Sequence, residues 1–170
     1  MSCGQTIHIS IADQRLVVRE NGRTVFTAAV SSARNGVGEI NGSGCTPRGR
    51  HIIRAKIGAG CPANTVFVAR RPTGEIYTPQ LQQTFPGRDW ILTRILWLSG
   101  TDVGKNRLGL VDTMRRYIYI HGSPDNVTMG QPGSHGCIRM RNADVIALFD
   151  RVVVGTPVII SEDNIGEDIE

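Results

Sequence analysis

Tyr117-Ile118-Tyr119-Ile120-His121-Gly122, followed after a loop by Ser134-His135-Gly136-Cys137-Ile138-Arg139-Met140, is the most informative pattern in the chain. Successive side chains of a β-strand point to opposite faces. Ile118 and Ile120 therefore fall on one side, and Tyr117, Tyr119 and His121 on the other. With the isoleucines in the core, His121 emerges at a strand end beside two tyrosines, a good place for a base. The linking loop holds Pro124, Asp125, Asn126, Gly130, Pro132 and Gly133, and is long enough to bring Cys137 back against His121. A free thiol, with a pKa of about 8.5, is a poor nucleophile at neutral pH. An adjacent imidazole takes its proton and stabilises the thiolate as an ion pair. Gly136 lets a carbonyl approach the backbone closely, which makes the N–H groups of Gly136 and Cys137 candidate oxyanion donors. By spacing alone this signal is only suggestive, because a buried, inert cysteine is the common case.

Outward from that segment the chain reads as mainly β. Ile7, Ile9 and Ile11 alternate with polar residues, and an extended run from Arg15 to Glu20 meets Asn21-Gly22, a strong two-residue hairpin signal, before Arg23 to Val30. Residues 34–50 are rich in glycine and turn formers and read as a loop. Further strands are expected over 51–57, 65–70, 90–98, 116–121 and 157–161, and Gly100 to Gly109 is again loop. The polar, proline-bearing segment from Arg71 to Asp89 is expected to form a long surface excursion. Asn142 is a plausible N-cap for a short helix over 143–151 with Val145, Ile146, Leu148 and Phe149 on its apolar face. The expected organisation is one domain over 1–161 and an acidic, frayed tail over 162–170.

The 170 residues suffice to bury a proper core. The start of the chain shows no basic and apolar leader pattern, and no run approaches the roughly 18 apolar residues that a spanning helix needs. These features lead us to expect a cytoplasmic protein, or a periplasmic one if the natural gene carries a signal peptide. Cys3, Cys45, Cys61 and Cys137 match no disulfide framework, and Cys45, His51 and Cys61 match no usual zinc spacing, so reduced thiols and no metal are expected. Net charge is +4, but the tail's Glu162, Asp163, Glu167, Asp168 and Glu170 mask a more basic body. With those five acids set aside, 19 Lys and Arg face 10 acids, a balance of +9. Lys56 and Lys105 are the only lysines, so the basic surface is almost wholly arginine, suited to carboxylates or phosphates. No helix-turn-helix, zinc-finger or aromatic RNA-binding motif accompanies it, so nucleic acid and membrane are not expected partners.

As a whole the pattern His121-Gly122, loop, Ser134-His135-Gly136-Cys137-Ile138-Arg139-Met140, then Asn142 and Asp144, resembles the signature of the L,D-transpeptidase catalytic domain. Upstream, Thr46-Pro47-Arg48-Gly49 looks like that family's Thr-Pro-x-Gly element, with His51 where an aromatic residue is usual. Together with the opening hairpin, the likeness covers most of residues 5–161. It implies a β-sandwich-like fold with one or two short helices and no cofactor. It implies Cys137 as nucleophile, His121 as general base, and the Gly122 carbonyl as the group orienting the imidazole. Ser134, His135 and Gly136 then shape the pocket, Tyr119 forms a wall, and Arg139 meets a substrate carboxylate or pairs with Asp144.

The resemblance also implies a reaction at the meso-diaminopimelate–D-alanine bond of peptidoglycan tetrapeptide stems, through a thioester on Cys137, and sensitivity to carbapenems. Water as acceptor gives L,D-carboxypeptidase activity, whereas an amine gives 3–3 cross-links or D-amino-acid exchange. A cytoplasmic member meets small recycled muropeptides, so release of D-alanine is the preferred expectation, with periplasmic cross-linking second. A non-catalytic muropeptide-binding domain has no need of both Cys137 and His121. A papain-like protease needs its Cys and His in the opposite order.

Overall fold

The alternation at the start of the chain becomes β1 (Gln5–Ser10), β2 (Arg15–Glu20) and β3 (Arg23–Ser31), a three-stranded antiparallel meander. The computed structural model describes residues 4–168. Asn21 and Gly22 both take positive φ, 51° and 80°, the mirror-image turn whose twist matches that of paired strands. Beyond it come β4 (Gly49–Ile57), β5 (Thr65–Val68), β6 (Arg71–Ile76), α1 (Pro79–Thr84), β7 (Ile91–Gly100), β8 (Tyr119–Gly122), β9 (Ile138–Met140), α2 (Asn142–Arg151) and β10 (Pro157–Ser161).

The strands lie in the order β4-β10-β1-β2-β3-β9-β8-β7, and β7 pairs back onto β4, so the sheet closes on itself. Closure removes the exposed edges of these eight strands, and β5 and β6 extend the sheet beyond β7. Two of the pairings are parallel, β1 with β10 and β8 with β9; the others are antiparallel. The enclosed face is apolar: Ile7, Leu16, Val30, Leu96, Ile120 and Ile138 are among its fully buried side chains. The helix α2 lends Val145, Leu148 and Phe149 to the same core. Each such side chain contributes roughly 1.5–3 kcal/mol by leaving water. The fold is therefore the sandwich-like, mainly β architecture expected, with two short helices.

Several local expectations need correction. The segment 71–89 is built rather than loose: β6 pairs with β5, and α1 begins at Pro79 with the Thr78 hydroxyl accepting from the Leu81 N–H at 3.1 Å. Proline at the first helical position costs no hydrogen bond. Tyr77 and Trp90 meet edge to face, their centroids 5.2 Å apart, and with Val66 and Leu92 they pin this unit to the body. Asn142 is not a cap. Arg141 occupies the N-cap position without a side-chain bond, and the Asn142 side chain turns inward to Thr93 and Asn64. The strand expected over 116–121 begins only at Tyr119, because Tyr117 sits at φ 56°. The acidic tail expected to fray makes bonds through residue 168: the Asp13 carboxylate accepts from the Ile165 N–H at 2.7 Å, and Asp168 accepts from the Thr24 hydroxyl at 2.6 Å. Residues 169 and 170, and Cys3, lie outside the described residues.

Candidate active site

The outer face of β7, β8 and β9 is where the fold places its reactive groups. Ile120 pairs with Ile138 and His121 with Arg139 in the parallel β8–β9 ladder. Alternation then sends Ile120, Ile138 and Met140 into the core, and Tyr119, His121, Cys137 and Arg139 to the opposite side. Continuing that register, Cys137 and His121 are diagonal neighbours on one face, with Cα atoms about 8 Å apart from ordinary strand spacing. Both line a single cavity of about 440 Å³, together with Arg70, Asp89, Arg116 and Tyr119.

His121 is buried, and its Nδ1 lies 2.6 Å from the Gly122 carbonyl oxygen. A carbonyl only accepts, so Nδ1 carries the hydrogen and Nε2 is left with its lone pair free. Gly122 cannot be anything larger. A Cβ there would lie 2.4 Å from Asn142 Oδ1 and 2.7 Å from the Leu92 carbonyl oxygen. Beneath it, Thr93 donates to Asn142 Oδ1 at 2.6 Å and accepts from the Asn64 N–H at 3.0 Å, while Asn142 Nδ2 donates to Asn64 Oδ1 at 2.9 Å. Thr93 is held at φ 76° where β7 bulges against β8, an unusual conformation for a β-branched residue. The guanidinium of Arg94 braces the same bulge through the Thr93 and Cys61 carbonyls.

Cys137 is partly accessible. Its thiol donates to the Tyr117 carbonyl at 3.4 Å, and its sulfur accepts from the Tyr119 N–H at 3.3 Å. Burial pushes the thiol up to about 12, against the bond from Tyr119 and the charges of Arg139 and Arg116, which pull the other way. Burial also lowers the His121 imidazole below its ordinary value, opposed by the Gly122 carbonyl. Both shifts favour the neutral thiol and the neutral imidazole over the ion pair expected from the sequence. Removing both from water disfavours either charge.

The loop before Cys137 is fastened from behind. The Ser134 hydroxyl donates to the Cys137 carbonyl and accepts from the Gly136 N–H at 3.2 Å. The Gly136 N–H is thus already bonded and is not free to serve an oxyanion. Thr46, fully buried, donates to the Gly136 carbonyl and accepts from the Ala33 N–H, each at 2.9 Å. This explains the threonine of the Thr-Pro-x-Gly element: it clamps the loop that carries Cys137. Gly136 itself sits at φ 138°, which L side chains rarely adopt, and a Cβ there would be tight, 3.1 Å from Ile118 Cδ1 and 3.3 Å from the Cys45 carbonyl oxygen. His51 is buried with Nδ1 on the Gly49 carbonyl and Nε2 on the Thr113 hydroxyl, both at 3.0 Å, so its ring nitrogens are already used within the protein.

The charged residues differ from expectation. Arg139 does not pair with Asp144, which lies near Arg141. It reaches Asp89 at 3.3 Å and the Gly133 carbonyl at 3.0 Å. His135 is mostly exposed, its Nδ1 3.6 Å from the other oxygen of Asp89. The sequence carries no signal that Arg70, Asp89, Arg116 and Thr93 belong to the site. No motif marks them, and they reach the site from distant segments.

A cysteine and a histidine share the outer face of a closed, mainly β sheet, with a main-chain carbonyl orienting the imidazole, and these are the groups that thiol–imidazole chemistry requires. The family model for the YkuD L,D-transpeptidase catalytic domain matches residues 4–160, and the chain belongs to that family. It is 34% identical over 107 residues to the probable L,D-transpeptidase YbiS of Escherichia coli, an alignment covering 61% of this chain and 34% of that protein. A shorter match, 47% identical over 45 residues, links it to the putative L,D-transpeptidase YqjB of Bacillus subtilis and covers 26% of each. The chain thus spans about a third or less of these curated relatives. Among solved structures, L,D-transpeptidase 3 from Mycobacterium tuberculosis superposes with a TM-score of 0.58 at 17% identity, covering 94% of this chain and 61% of that one. The L,D-transpeptidase LdtMt1 in complex with imipenem gives 0.57 at 21% identity, covering 93% and 59%. These likenesses bear out the fold.

Proposed function

We propose that this domain cleaves the meso-diaminopimelate–D-alanine bond of peptidoglycan tetrapeptide stems through a thioester on Cys137, and that it acts as a cytoplasmic L,D-carboxypeptidase on recycled muropeptides. The observation that carries the reading is the shared face of Cys137 and His121, with Nδ1 committed to the Gly122 carbonyl and Nε2 free. A cavity of about 440 Å³ suits the end of one stem peptide.

In the proposed reaction the thiol exchanges its bond to the Tyr117 carbonyl for one to His121 Nε2. The imidazole takes the proton as Sγ attacks the carbonyl carbon, so neither partner is charged until the carbonyl is engaged. The backbone N–H of Cys137 is the remaining candidate oxyanion donor, since that of Gly136 is held by Ser134. Imidazolium then protonates the leaving nitrogen, the C–N bond breaks, and D-alanine departs. In the second half His121 takes a proton from water, whose oxygen attacks the thioester. The C–S bond breaks and the thiol is restored. An amine in place of water gives exchange or cross-linking by the same steps.

Mass spectrometry of the protein with a tetrapeptide muropeptide, with and without an added D-amino acid, tests this. Tripeptide formed by the wild type and not by Cys137→Ala supports the carboxypeptidase. Predominant exchange or dimer products convert the reading to a transpeptidase. An intact stem under all conditions contradicts both.

A further inference from the structure

Arg70, Arg116 and Arg139 all face the cavity, and they are spent very differently. Arg139 is neutralised by Asp89 and bonded to the Gly133 carbonyl. Arg116 bonds inward, donating to the Cys45 carbonyl at 2.6 Å and the Gly38 carbonyl at 3.2 Å, and so braces the loop behind the nucleophile. Arg70 makes one hydrogen bond among the described residues, from one terminal nitrogen to the Tyr119 hydroxyl at 2.9 Å, and no carboxylate pairs with it. A guanidinium has five N–H donors, so most of its capacity is uncommitted.

It is nonetheless held in place. The guanidinium carbon lies 4.6 Å from the centroid of the Trp97 ring and 4.7 Å from that of Tyr117, so the cation rests against two aromatic rings with a third at its edge. Two of those residues also hold the nucleophile: the Tyr117 carbonyl accepts from the Cys137 thiol, and the Tyr119 N–H donates to its sulfur. The backbone beneath Arg70 is strained to put it there. Ala69 and Arg70 form the β5–β6 turn with φ of 50° and 64°, a left-handed conformation that favours Asn-Gly and disfavours residues with a Cβ such as these. A cation with free donors, immobilised by aromatic rings on a strained turn at the mouth of a cleft, is pre-organised for an anion.

We propose that Arg70 is a specificity-determining residue of this site and receives a carboxylate of the peptide substrate, a proposal that rests on the stem-peptide reading above. A tetrapeptide stem presents three carboxylates: that of the terminal D-alanine, the side-chain one of meso-diaminopimelate and the α-carboxylate of D-glutamate. Amides at each distinguish them.

The test is calorimetric titration of tetrapeptide and its three mono-amides into Cys137→Ala protein, with and without Arg70→Gln, beside turnover by the two Cys137-containing proteins. Loss of a charge-assisted hydrogen bond raises Kd about 10- to 100-fold. Arg70→Gln is expected to do so for the free acid and to have no further effect on the one amide whose carboxylate Arg70 receives. In turnover, KM rises far more than kcat falls. A melting curve and near-ultraviolet circular dichroism verify that the aromatic cluster survives the substitution. Binding within twofold of the parent, or equal sensitivity of all three amides to Arg70→Gln, overturns the proposal. Tripeptide formation with unchanged KM in Arg70→Gln overturns it while leaving the catalytic reading intact. Arg70-dependent binding without cleavage by the wild type does the reverse, and absence of both binding and cleavage overturns the two together.

Discussion

Two hairpin turns of the same geometry sit at different places in this molecule. Asn21-Gly22 joins β2 to β3 at φ of 51° and 80°, and Ala69-Arg70 joins β5 to β6 at 50° and 64°. The first has the residues that the geometry asks for, and it connects two strands of the scaffold. The second has a methyl group and a long cation where small or turn-forming residues are favoured, and its cation overhangs the cavity that holds Cys137. The site half of the molecule repeats this theme at Thr93 and Tyr117, both at positive φ and both supporting the face that carries Cys137 and His121. Local strain is tolerated where it positions a functional group, and the regular packing elsewhere supplies the stability.

The contrast can be broken from either side. The largest expected effect is on the site: His121→Gln should lower kcat/KM by about a thousandfold or more, within the range general-base removal produces. On the scaffold side, Leu148→Ala empties part of the closed core and should cost about 2–5 kcal/mol in urea unfolding, with the folded fraction still turning over substrate.

A pH experiment separates the halves next. Burial lowers His51 from 6.5 to about 4, so the folded state binds its proton less readily than the unfolded chain. The associated stability is fully present above pH 6.5 and is lost as pH falls from there towards 4, amounting to about 2 to 3 kcal/mol at pH 4.5. His8 and His121 shift in the same direction, so the His51 share is the difference between wild type and a His51→Gln variant in urea titrations at pH 7.5 and 4.5. In catalysis the lowered His121 and raised Cys137 predict an acid limb of kcat/KM below pH 6.5, with activity maintained well into the alkaline range. The smallest effect sharpens the comparison itself. Replacing Ala69-Arg70 by Asn-Gly should relieve turn strain and stabilise the fold by about 1 kcal/mol, a rise in Tm of about 2 to 4 °C, while weakening substrate binding.

The parts legible in the sequence were those written in local periodicity. The alternation of Ile7 and Ile9, the Asn21-Gly22 turn and the Ile118/Ile120 face against Tyr119 and His121 all follow from a period of two. The Thr-Pro-x-Gly element was visible as a pattern, but its purpose, the Thr46 clamp on the Gly136 carbonyl, needed the fold. Arg70, Asp89, Arg116 and Thr93 reach the site from β5–β6, the segment before β7, the loop before β8 and a bulge within β7, and no spacing rule joins them. Asn142 read as a cap because Asn favours helix starts. The pull of a buried partner, the Thr93 hydroxyl, turned its side chain inward instead. The burial that shifts Cys137 and His121 towards their neutral forms was likewise hidden, since burial of a site is a property of the assembled sheet.

The most direct test is to quench the wild-type protein in acid seconds after mixing with a tetrapeptide muropeptide and to measure its intact mass. A thioester carrying the stem less D-alanine, mapped to the peptide containing Cys137 and absent from Cys137→Ser, is the predicted result. Release of D-alanine by the wild type with no adduct on Cys137, or undiminished release by Cys137→Ser, would contradict the nucleophile assigned here.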